Sequence, residues 1–269
     1  MSGDILARVE SLSISERLSG RLLVKKASFQ VARGECLAIV GESGGGKTLC
    51  CKALMKLLPL GLKADGQAIF EGTDMLRASE RQAREIRGSG MGVILQQPMS
   101  AFDPLRAMGA QIAEVLRQKL GLGKAEARER ARAVLGNVNL EAGVCHKYPG
   151  QLSGGMLQRC MIALCLALQT RLIVADEPTT ALDAQNQYEV LQRLKRLRER
   201  HDVGLIFISH DLGAAQALAD NVLVMRQGEC VEYGSAWQVF NRPQSDYAKH
   251  LVRTRLALTR SFERAMGEL

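Results

Sequence analysis

Two patterns of apolar residues run along this chain and predict its strands. From Ile5 to Ile14 and from Leu22 to Val31, apolar and polar positions alternate, as they do in half-buried β-strands. Farther on there are short uninterrupted apolar runs, which are typical of buried strands in a parallel sheet. These runs are residues 36–40, 91–95, 172–175 and 204–208. Because segments with helical periodicity separate them, the chain is predicted to have an α/β fold with a largely parallel, three-layer core.

The longest stretch without a predicted strand lies between residues 99 and 169. Its apolar spacing predicts one helix near 108–120 and a second near 124–135. Residues 99–169 are therefore predicted to form a helical insertion in a core made of residues 1–98 and 170–269. Ligands of such parallel sheets bind at the carboxyl ends of the strands, so the residues at these ends are the first candidates for chemistry.

The composition is that of a globular protein, since 46% of the 269 residues are hydrophobic and 24% are charged. No apolar run approaches the ~18 residues that cross a membrane, and the N-terminus lacks the basic and apolar regions of a secretory leader. The protein is therefore predicted to be cytoplasmic. Its seven cysteines form no C-x-x-C pair, which favours reduced, buried thiols over a zinc site or a disulfide framework.

The net charge of +8 is compatible with two anionic partners, nucleic acid and a membrane surface. Basic residues are mixed with glutamates, however, as in residues 124–132, and aromatic residues make up only 4% of the chain, too few for base stacking. The positive excess is therefore interpreted as mostly solvated surface, with a contribution from a nearby membrane face. No nucleic-acid partner is predicted.

The segment after the first buried strand has the pattern of a phosphate-binding loop. It consists of Gly41, Glu42, Ser43, Gly44, Gly45, Gly46, Lys47 and Thr48, and fits G-x-x-x-x-G-K-[ST] between a predicted strand and a predicted helix. In such a loop the backbone N–H groups and the helix dipole attract phosphate. Lys47 would reach the β- and γ-phosphates, and the Thr48 hydroxyl would ligate Mg²⁺. The sequence therefore predicts that the chain binds a nucleoside triphosphate.

A second candidate pair ends the third buried strand, where Asp176 and Glu177 follow residues 172–175. At the carboxyl end of a parallel strand Asp176 can hold Mg²⁺ through water, and Glu177 can polarise the water that attacks the γ-phosphate. Because positioning and charge stabilisation supply most of the catalysis in phosphoryl transfer, this pair suits hydrolysis.

A third motif, residues 152–159, precedes an apolar helix. Ser153 is a natural N-cap, and Gly154 and Gly155 expose backbone N–H groups at the helix start, which predicts a second anion site. One chain has no obvious use for two such distant phosphate sites. Two chains arranged head to tail do, because the helix start of each can then face the phosphate loop of the other.

These motifs, in this order, resemble the ATP-binding cassette family over nearly the whole chain. The family signature, L-S-G-G-x-x-x-R, is matched by residues 152–159. The resemblance implies an ATPase with a P-loop NTPase (RecA-like) core, an N-terminal antiparallel β subdomain and an inserted α-helical subdomain, all within one ABC domain. It also implies ATP and Mg²⁺ as ligands.

The resemblance suggests roles for further residues. Gln96 matches the family glutamine that contacts Mg²⁺ and the attacking water, and His210 matches the switch histidine that touches the γ-phosphate. Asp183 matches the loop that contacts the opposite subunit. Leu18 stands where the family usually has an aromatic residue that stacks on adenine. An aliphatic adenine contact is therefore expected at Leu18, unless that contact lies in another loop.

Three stretches, residues 95–104, 175–183 and 241–247, are similar to the peptide, opine and nickel importer branch of the family. Residues 95–104 resemble its Q-[DN]-P-x-S-[AS]-[LF]-[ND]-P pattern, and residues 241–247 resemble its Pro-x-His-Pro-Tyr-Thr segment without the His-Pro. The chain also lacks the cysteine-rich C-terminal extension of some peptide-importing relatives. Residues 153–159, residues 47–50, the short length and the ending at residues 251–258 resemble the nickel-importing members of this branch. Together with the missing extension, these details favour nickel as the cargo, and a dipeptide or oligopeptide importer is the alternative.

The resemblance also implies partners and a location. They are transmembrane permease subunits, a second ABC ATPase in a heterodimer, and a periplasmic or surface substrate-binding protein, at the cytoplasmic face of the inner membrane. Two other classes fit less well. A soluble ABC ATPase acting on ribosomes or DNA usually carries two cassettes or a long coiled-coil insertion, and a nucleotide binder without turnover should have lost Glu177 or His210.

Overall fold

Strands and helices follow one another through residues 4–180 and 184–254, which are the residues that this computed structural model describes. The strands are β1 (Ile5–Glu16), β2 (Leu22–Ala32), β3 (Cys36–Gly41), β4 (Leu62–Phe70), β5 (Thr73–Asp74), β6 (Met91–Ile94), β7 (Leu172–Asp176), β8 (Gly204–Ser209), β9 (Asn221–Arg226) and β10 (Glu229–Ser235). The helices are α1 (Lys47–Leu54), α2 (Glu80–Ser89), α3 (Met108–Leu120), α4 (Lys124–Gly136), α5 (Gly154–Ala167), α6 (Ala184–His201), α7 (Leu212–Leu218) and α8 (Ala236–Asn241). Residues 246–254 are also helical.

The chain divides into two compact units. Met1–Ala78 and Ile206–Leu269 form the first, and Ser79–Leu205 form the second. Strand β8 leads the chain from the second unit back into the first. The second unit contains the whole predicted insertion, residues 99–169, together with the elements on either side of it. That residues 99–169 form a separate helical subdomain stays a prediction.

In the first unit the strand order is β5-β4-β1-β2-β10-β9-β3. Strand β1 lies antiparallel between β2 and β4, which confirms the predicted antiparallel strands near the N-terminus. Strand β3, by contrast, runs parallel to β9. It is buried along its whole length, as its uninterrupted apolar sequence predicts. The carboxyl end of β3 is Gly41, which is where the phosphate loop begins.

The core beside β3 uses residues from distant parts of the chain. Ala38 and Val40 pack in one cluster with residues of β9, α7 and α8 and with Tyr247. Complete burial of a large apolar side chain contributes about 1.5–3 kcal/mol. The cluster therefore stabilises the strand that carries the phosphate loop.

In the second unit β6 and β7 pair in parallel, and α3, α4 and α5 each bury apolar side chains. Of the apolar positions at helical spacing in α3, Val115 is partly buried and Leu120 is exposed. Met108, Ile112 and Leu116 on α3 are fully buried. A Cβ atom at Gly109 would lie 2.8 Å from the backbone oxygen of Cys145, so only glycine allows this close approach of α3. Helix α5 has 14 residues and is largely apolar, whereas α6 has 18 and carries several arginines. None of the helices within residues 4–180 and 184–254 is both long and apolar enough to cross a membrane.

The predicted and observed elements differ at a few boundaries. The sequence predicts a helix over residues 49–58, but α1 ends at Leu54, because Lys56 adopts a left-handed backbone conformation (φ 52°) and the chain turns there. It predicts a short strand over residues 67–70, but β4 begins at Leu62, because it continues to pair with β1 beyond a bulge. Its first five residues include Asp65 and Gly66, which have low strand propensity. Their pairing depends on the tertiary partner.

The cysteines are packed as small apolar side chains. Six of the seven are buried, and Cys230 is partly buried. Burial raises the pKa values of Cys160 and Cys165 to about 12. These thiols therefore stay protonated at neutral pH and are poor nucleophiles and metal ligands. This confirms the prediction that the cysteines are largely buried.

Candidate functional site

The phosphate loop connects the end of β3 to the start of α1. Gly41, Gly44 and Gly46 have φ angles of 141°, 77° and 92°, which side-chain-bearing residues rarely adopt. A Cβ at Gly41 would lie 2.0 Å from the Met225 backbone oxygen, and one at Gly46 would lie 2.9 Å from Val24 Cγ2. Glycine is therefore required at both positions, by the backbone conformation and by the packing.

The loop is open to solvent on one side and anchored on the other. Glu42, Ser43 and Gly44 are exposed, whereas Gly45 and Gly46 are buried. No side chain caps the N-terminus of α1, and the N-terminus of a helix attracts anions through its backbone N–H groups and its dipole. Thr48, in that first turn, is partly exposed.

Lys47 is buried, with 5% of its surface exposed. Its Nζ donates to the backbone oxygens of Gly41 at 2.8 Å and of Glu42 at 2.7 Å. These two bonds place the ammonium group inside the curve of the loop. A cation held there supplies the charge that a triphosphate needs.

Tyr247 contacts the same loop from the C-terminal part of the chain. The Glu42 N–H donates to Tyr247 Oη at 3.1 Å, and the Arg226 guanidinium carbon lies 4.9 Å from the centre of the Tyr247 ring. Burial raises the pKa of Tyr247, so the hydroxyl is protonated at neutral pH. The sequence singled out the segment 241–247 only as a weak family match. It gave no sign that this tyrosine reaches the phosphate loop.

Tyr247→Phe is expected to lower the free energy of unfolding by about 0.5–1.5 kcal/mol. The substitution keeps the ring and its contact with Arg226 but leaves the Glu42 N–H without its acceptor. Urea denaturation without nucleotide measures the change. Tyr188→Phe is the control, because Tyr188 is 63% exposed. Equal destabilisation by the two substitutions would contradict a specific role for the Tyr247 hydroxyl.

Two further predicted residues lie in the first unit. Leu18, in the turn between β1 and β2, is fully exposed, at 103% of its reference surface. His210 follows β8 directly and is exposed, and the next residue, Asp211, accepts from Gly213 N–H and Ala214 N–H as the N-cap of α7. The roles of Leu18 and His210 stay predictions.

In the second unit the predicted acidic pair ends β7. Asp176 is the last strand residue, and Glu177 has a φ angle of 49°, an uncommon conformation for a residue with a side chain. Thr180 Oγ1 donates to Glu177 Oε2 at 2.7 Å. Backbone strain of this kind is concentrated at functional sites, and the Thr180 bond fixes the direction of the carboxylate.

The predicted signature motif begins helix α5. Ser153 is its N-cap, as predicted, and Ser153 Oγ accepts from the Met156 N–H at 3.3 Å. Ser153 and Gly154 are exposed, Gly155 is partly exposed, and nothing lies within 4 Å of a Cβ built on either glycine. The start of α5 at Gly154 and Gly155 is therefore accessible from solvent.

Gln158 links the signature helix to the acidic pair within the second unit. It is 3% exposed, and its Nε2 donates to the Pro178 backbone oxygen at 2.5 Å. Pro178 directly follows Glu177, so the helix that starts with the signature holds the loop that carries the predicted base. The position of Gln158 inside the motif was visible in the sequence, but its partner was not.

The remaining predicted residues lie after β6 and after β7. Gln96 is exposed two residues beyond the end of β6, before a short 3-10 helix at Pro98–Ala101. Asp183 lies outside the described residues. The roles predicted for both stay predictions.

The sequence was compared with family models and with known proteins. The family model described as ABC transporter matches residues 24–180. The metal-staphylopine import system ATP-binding protein CntD of Staphylococcus aureus is 38% identical over 97% of both chains. The glutathione import ATP-binding protein GsiA of Escherichia coli is 42% identical over 93% of this chain, which spans 42% of that longer protein. The peptidoglycan transport ATP-binding protein YejF of Agrobacterium fabrum is 40% identical over 92% of this chain and 46% of its own length.

Solved structures share the fold. The ATP-binding cassette MJ0796, in a dimeric post-hydrolysis state with ADP and phosphate, aligns with a TM-score of 0.75 at 24% identity over 86% of this chain and 99% of its own. CbiO1 of Clostridium perfringens gives the same TM-score and identity over 99% of this chain and 100% of its own. The predicted fold class is thereby confirmed. By sequence match and by fold, the chain belongs to the ABC transporter family, as an ATPase of its importer branch.

Proposed function

We propose that this ATPase powers the uptake of nickel, free or chelated, through a membrane permease. The observation that carries the proposal is the match to the metal-staphylopine import protein, which covers 97% of both chains. A relative of the same length that serves a metal-chelate importer supports a metal cargo for this chain. The inference is an analogy with a relative, because an ATPase of this kind binds ATP, whereas its partner proteins bind the cargo.

Peptide import is the second candidate, and a specific observation favours it. The glutathione import protein, whose cargo is a peptide, is more identical to this chain, at 42%, than the metal-staphylopine protein is. The match covers less than half of that protein, however. The share of each chain that is matched favours a metal cargo, whereas the sequence identity favours a peptide cargo. Uptake measurements decide between them.

The chain's own residues support ATP hydrolysis with the following roles. Lys47 and the backbone N–H groups of the loop bind the phosphates. Glu177 accepts a proton from the attacking water, with its carboxylate held by Thr180. His210 contacts the γ-phosphate, and Gln96 orients the water. Leu18 provides an aliphatic surface for adenine.

Mg²⁺ fits the donors that this chain provides. The Thr48 hydroxyl, the Asp176 carboxylate and the Gln96 amide offer oxygen atoms, which are the ligands this hard cation prefers. Thr48 lies in the first turn of α1, and Asp176 is the last residue of β7. When bound, the cation neutralises charge that develops on the phosphates.

The signature is proposed to act on a second subunit. Ser153, Gly154 and Gly155 present an open helix start, which suits the γ-phosphate of a nucleotide bound by a partner ATPase. Asp183 would contact the same partner. The partner is proposed to be a second, different ABC ATPase. Transmembrane permeases and a substrate-binding protein complete the complex at the cytoplasmic face of the membrane.

Uptake in cells tests the cargo. A strain without the gene is complemented with wild type or with Lys47→Ala, and radiolabelled nickel and dipeptide uptake are measured side by side. Nickel uptake is expected to fall to the Lys47→Ala level in the deletion strain and to return with wild type, while dipeptide uptake stays unchanged. Loss of dipeptide uptake with nickel uptake intact would replace the metal cargo with a peptide.

A further inference from the structure

A cleft in the second unit is lined by an unusual number of cationic side chains. We call it the arginine cleft. It lies among α4, α5 and α6, has a volume of about 930 Å³, and is lined by basic residues from all three helices. These residues are Arg130, Arg159, Arg193, Arg196, Arg200 and His201. The volume lies within the range of pockets that hold small molecules.

The charges in the arginine cleft do not balance. Among the described residues that line it, Glu189 is the one carboxylate. Glu189 lies 3.7 Å from the Arg159 guanidinium and 3.3 Å from that of Arg193. A single carboxylate thus faces five guanidinium groups, and the cleft keeps a strong positive potential.

Three of these arginines form a row on α6. Arg193, Arg196 and Arg200 are spaced three and four residues apart, so they lie along one face of the helix, where like charges repel. Burial, and then the nearby Arg159, lower the pKa of Arg193. A cleft lined by charges of one sign raises the local concentration of ions of the opposite sign, here anions.

The other lining residues indicate the kind of anion. Val134, Val138, Ile162 and Leu166 provide an apolar wall, and the exposed ring of Tyr188 stands among the lining residues. Guanidinium groups match phosphate oxygens in a bidentate geometry. An apolar wall beside several arginines suits a ring that carries phosphate groups. A concave pocket fits such a compact molecule better than an extended acidic segment.

We propose that the arginine cleft binds a nucleotide-sized molecule that carries several phosphate groups, and that its binding adjusts ATP turnover. The regulatory part rests on the proposed function, whereas the binding part does not. The physical link is α5, which contributes Arg159 and Ile162 to the cleft, begins at the signature and holds Pro178 through Gln158. A ligand that draws α5 and α6 together acts on this helix.

Binding of guanosine 3′,5′-bisphosphate tests the site. Titration calorimetry is done with saturating ADP, so that the phosphate loop is occupied. The cleft variant is Arg196→Glu with Arg200→Glu. The control is Arg128→Glu with Lys195→Glu, which changes the net charge equally at exposed helix positions that do not line the cleft. The affinity is expected to fall about tenfold or more in the cleft variant and to stay within about twofold in the control.

A neutral variant and two other anionic ligands complete the binding test. The neutral variant, Arg196→Gln with Arg200→Gln, is expected to show a smaller loss of affinity in the same direction, which excludes misfolding caused by the new acidic side chains. Equal affinities in the cleft and control variants would overturn the proposal. So would selective loss of binding to phosphatidylglycerol vesicles or to polyglutamate with bisphosphate binding unchanged, since the cleft would then serve a lipid or an acidic segment.

ATP turnover of the assembled transporter separates the two proposals. Saturating bisphosphate is expected to change turnover at least about twofold in wild type and in the control, and not in the cleft variant. Bound ligand without any change in turnover would overturn the regulatory part. Absence of ATP turnover in wild type would refute the proposed function, while the calorimetry would still decide whether the cleft binds the bisphosphate.

Discussion

Glu177→Gln is expected to lower ATP turnover by about 10²- to 10⁴-fold and to leave ATP binding intact. The amide has nearly the same size as the carboxylate but does not accept a proton from the attacking water. Its oxygen can still accept the hydrogen bond from Thr180, which now reaches Glu177 Oε2 at 2.7 Å. The loop after β7 should therefore keep its conformation, and the loss should concern the chemical step alone.

Phosphate release and equilibrium ATP binding, measured on the assembled transporter, check this prediction. Glu141→Gln is the matched control, because Glu141 is an exposed glutamate of the same unit whose side chain makes no capping bond. Turnover near wild type in Glu177→Gln would remove Glu177 from the role of base. Loss of ATP affinity with unchanged turnover at saturation would assign it to binding instead.

Lys47→Ala is expected to weaken ATP binding by about 10- to 100-fold, because it removes the charge that faces the phosphates. The structure adds a second effect. Lys47 Nζ donates to the backbone oxygens of Gly41 and Glu42, so the substitution also removes two hydrogen bonds that hold the loop. The free energy of unfolding without nucleotide is expected to fall by about 1–3 kcal/mol.

Nucleotide titration and urea denaturation measure the two effects separately. Lys52→Ala is the control, since Lys52 lies in the last turn of the same helix. The control is expected to change neither the affinity nor the stability by more than about 0.5 kcal/mol. Unchanged ATP affinity in Lys47→Ala would contradict the phosphate role, and unchanged stability would mean that the two loop bonds contribute nothing to the folded state.

The elements that the sequence predicted well are those whose burial pattern is decided locally. Strand β3 is buried on both faces and reads as an uninterrupted apolar run, and Ser153 caps α5 because a short polar side chain followed by two glycines favours a helix start. The phosphate loop was equally clear, because its glycines are required by the backbone conformation at Gly41 and Gly46. Each of these signals lies within a few consecutive residues.

The contacts that position these motifs were not predictable, because their partners are far apart in the chain. The bond between Glu42 N–H and the Tyr247 hydroxyl joins residues 205 positions apart. The bond from Gln158 to Pro178 depends on how α5 packs beside the end of β7. The arginine cleft likewise needs three helices to converge, whereas the sequence pattern predicts mostly solvated surface for the positive charges.

The sequence by itself determined the chemistry of this protein. Motif spacing specifies which backbone N–H groups, acids and hydroxyls are available, and those depend on covalent neighbours and on local backbone preference. Only the tertiary structure decided how they are held. It placed Lys47 against two carbonyl oxygens, turned Glu177 toward Thr180, and gathered the arginines of α4, α5 and α6 around one cleft. The physical reason is that the free energy of such contacts depends on distance in space, which sequence separation does not specify.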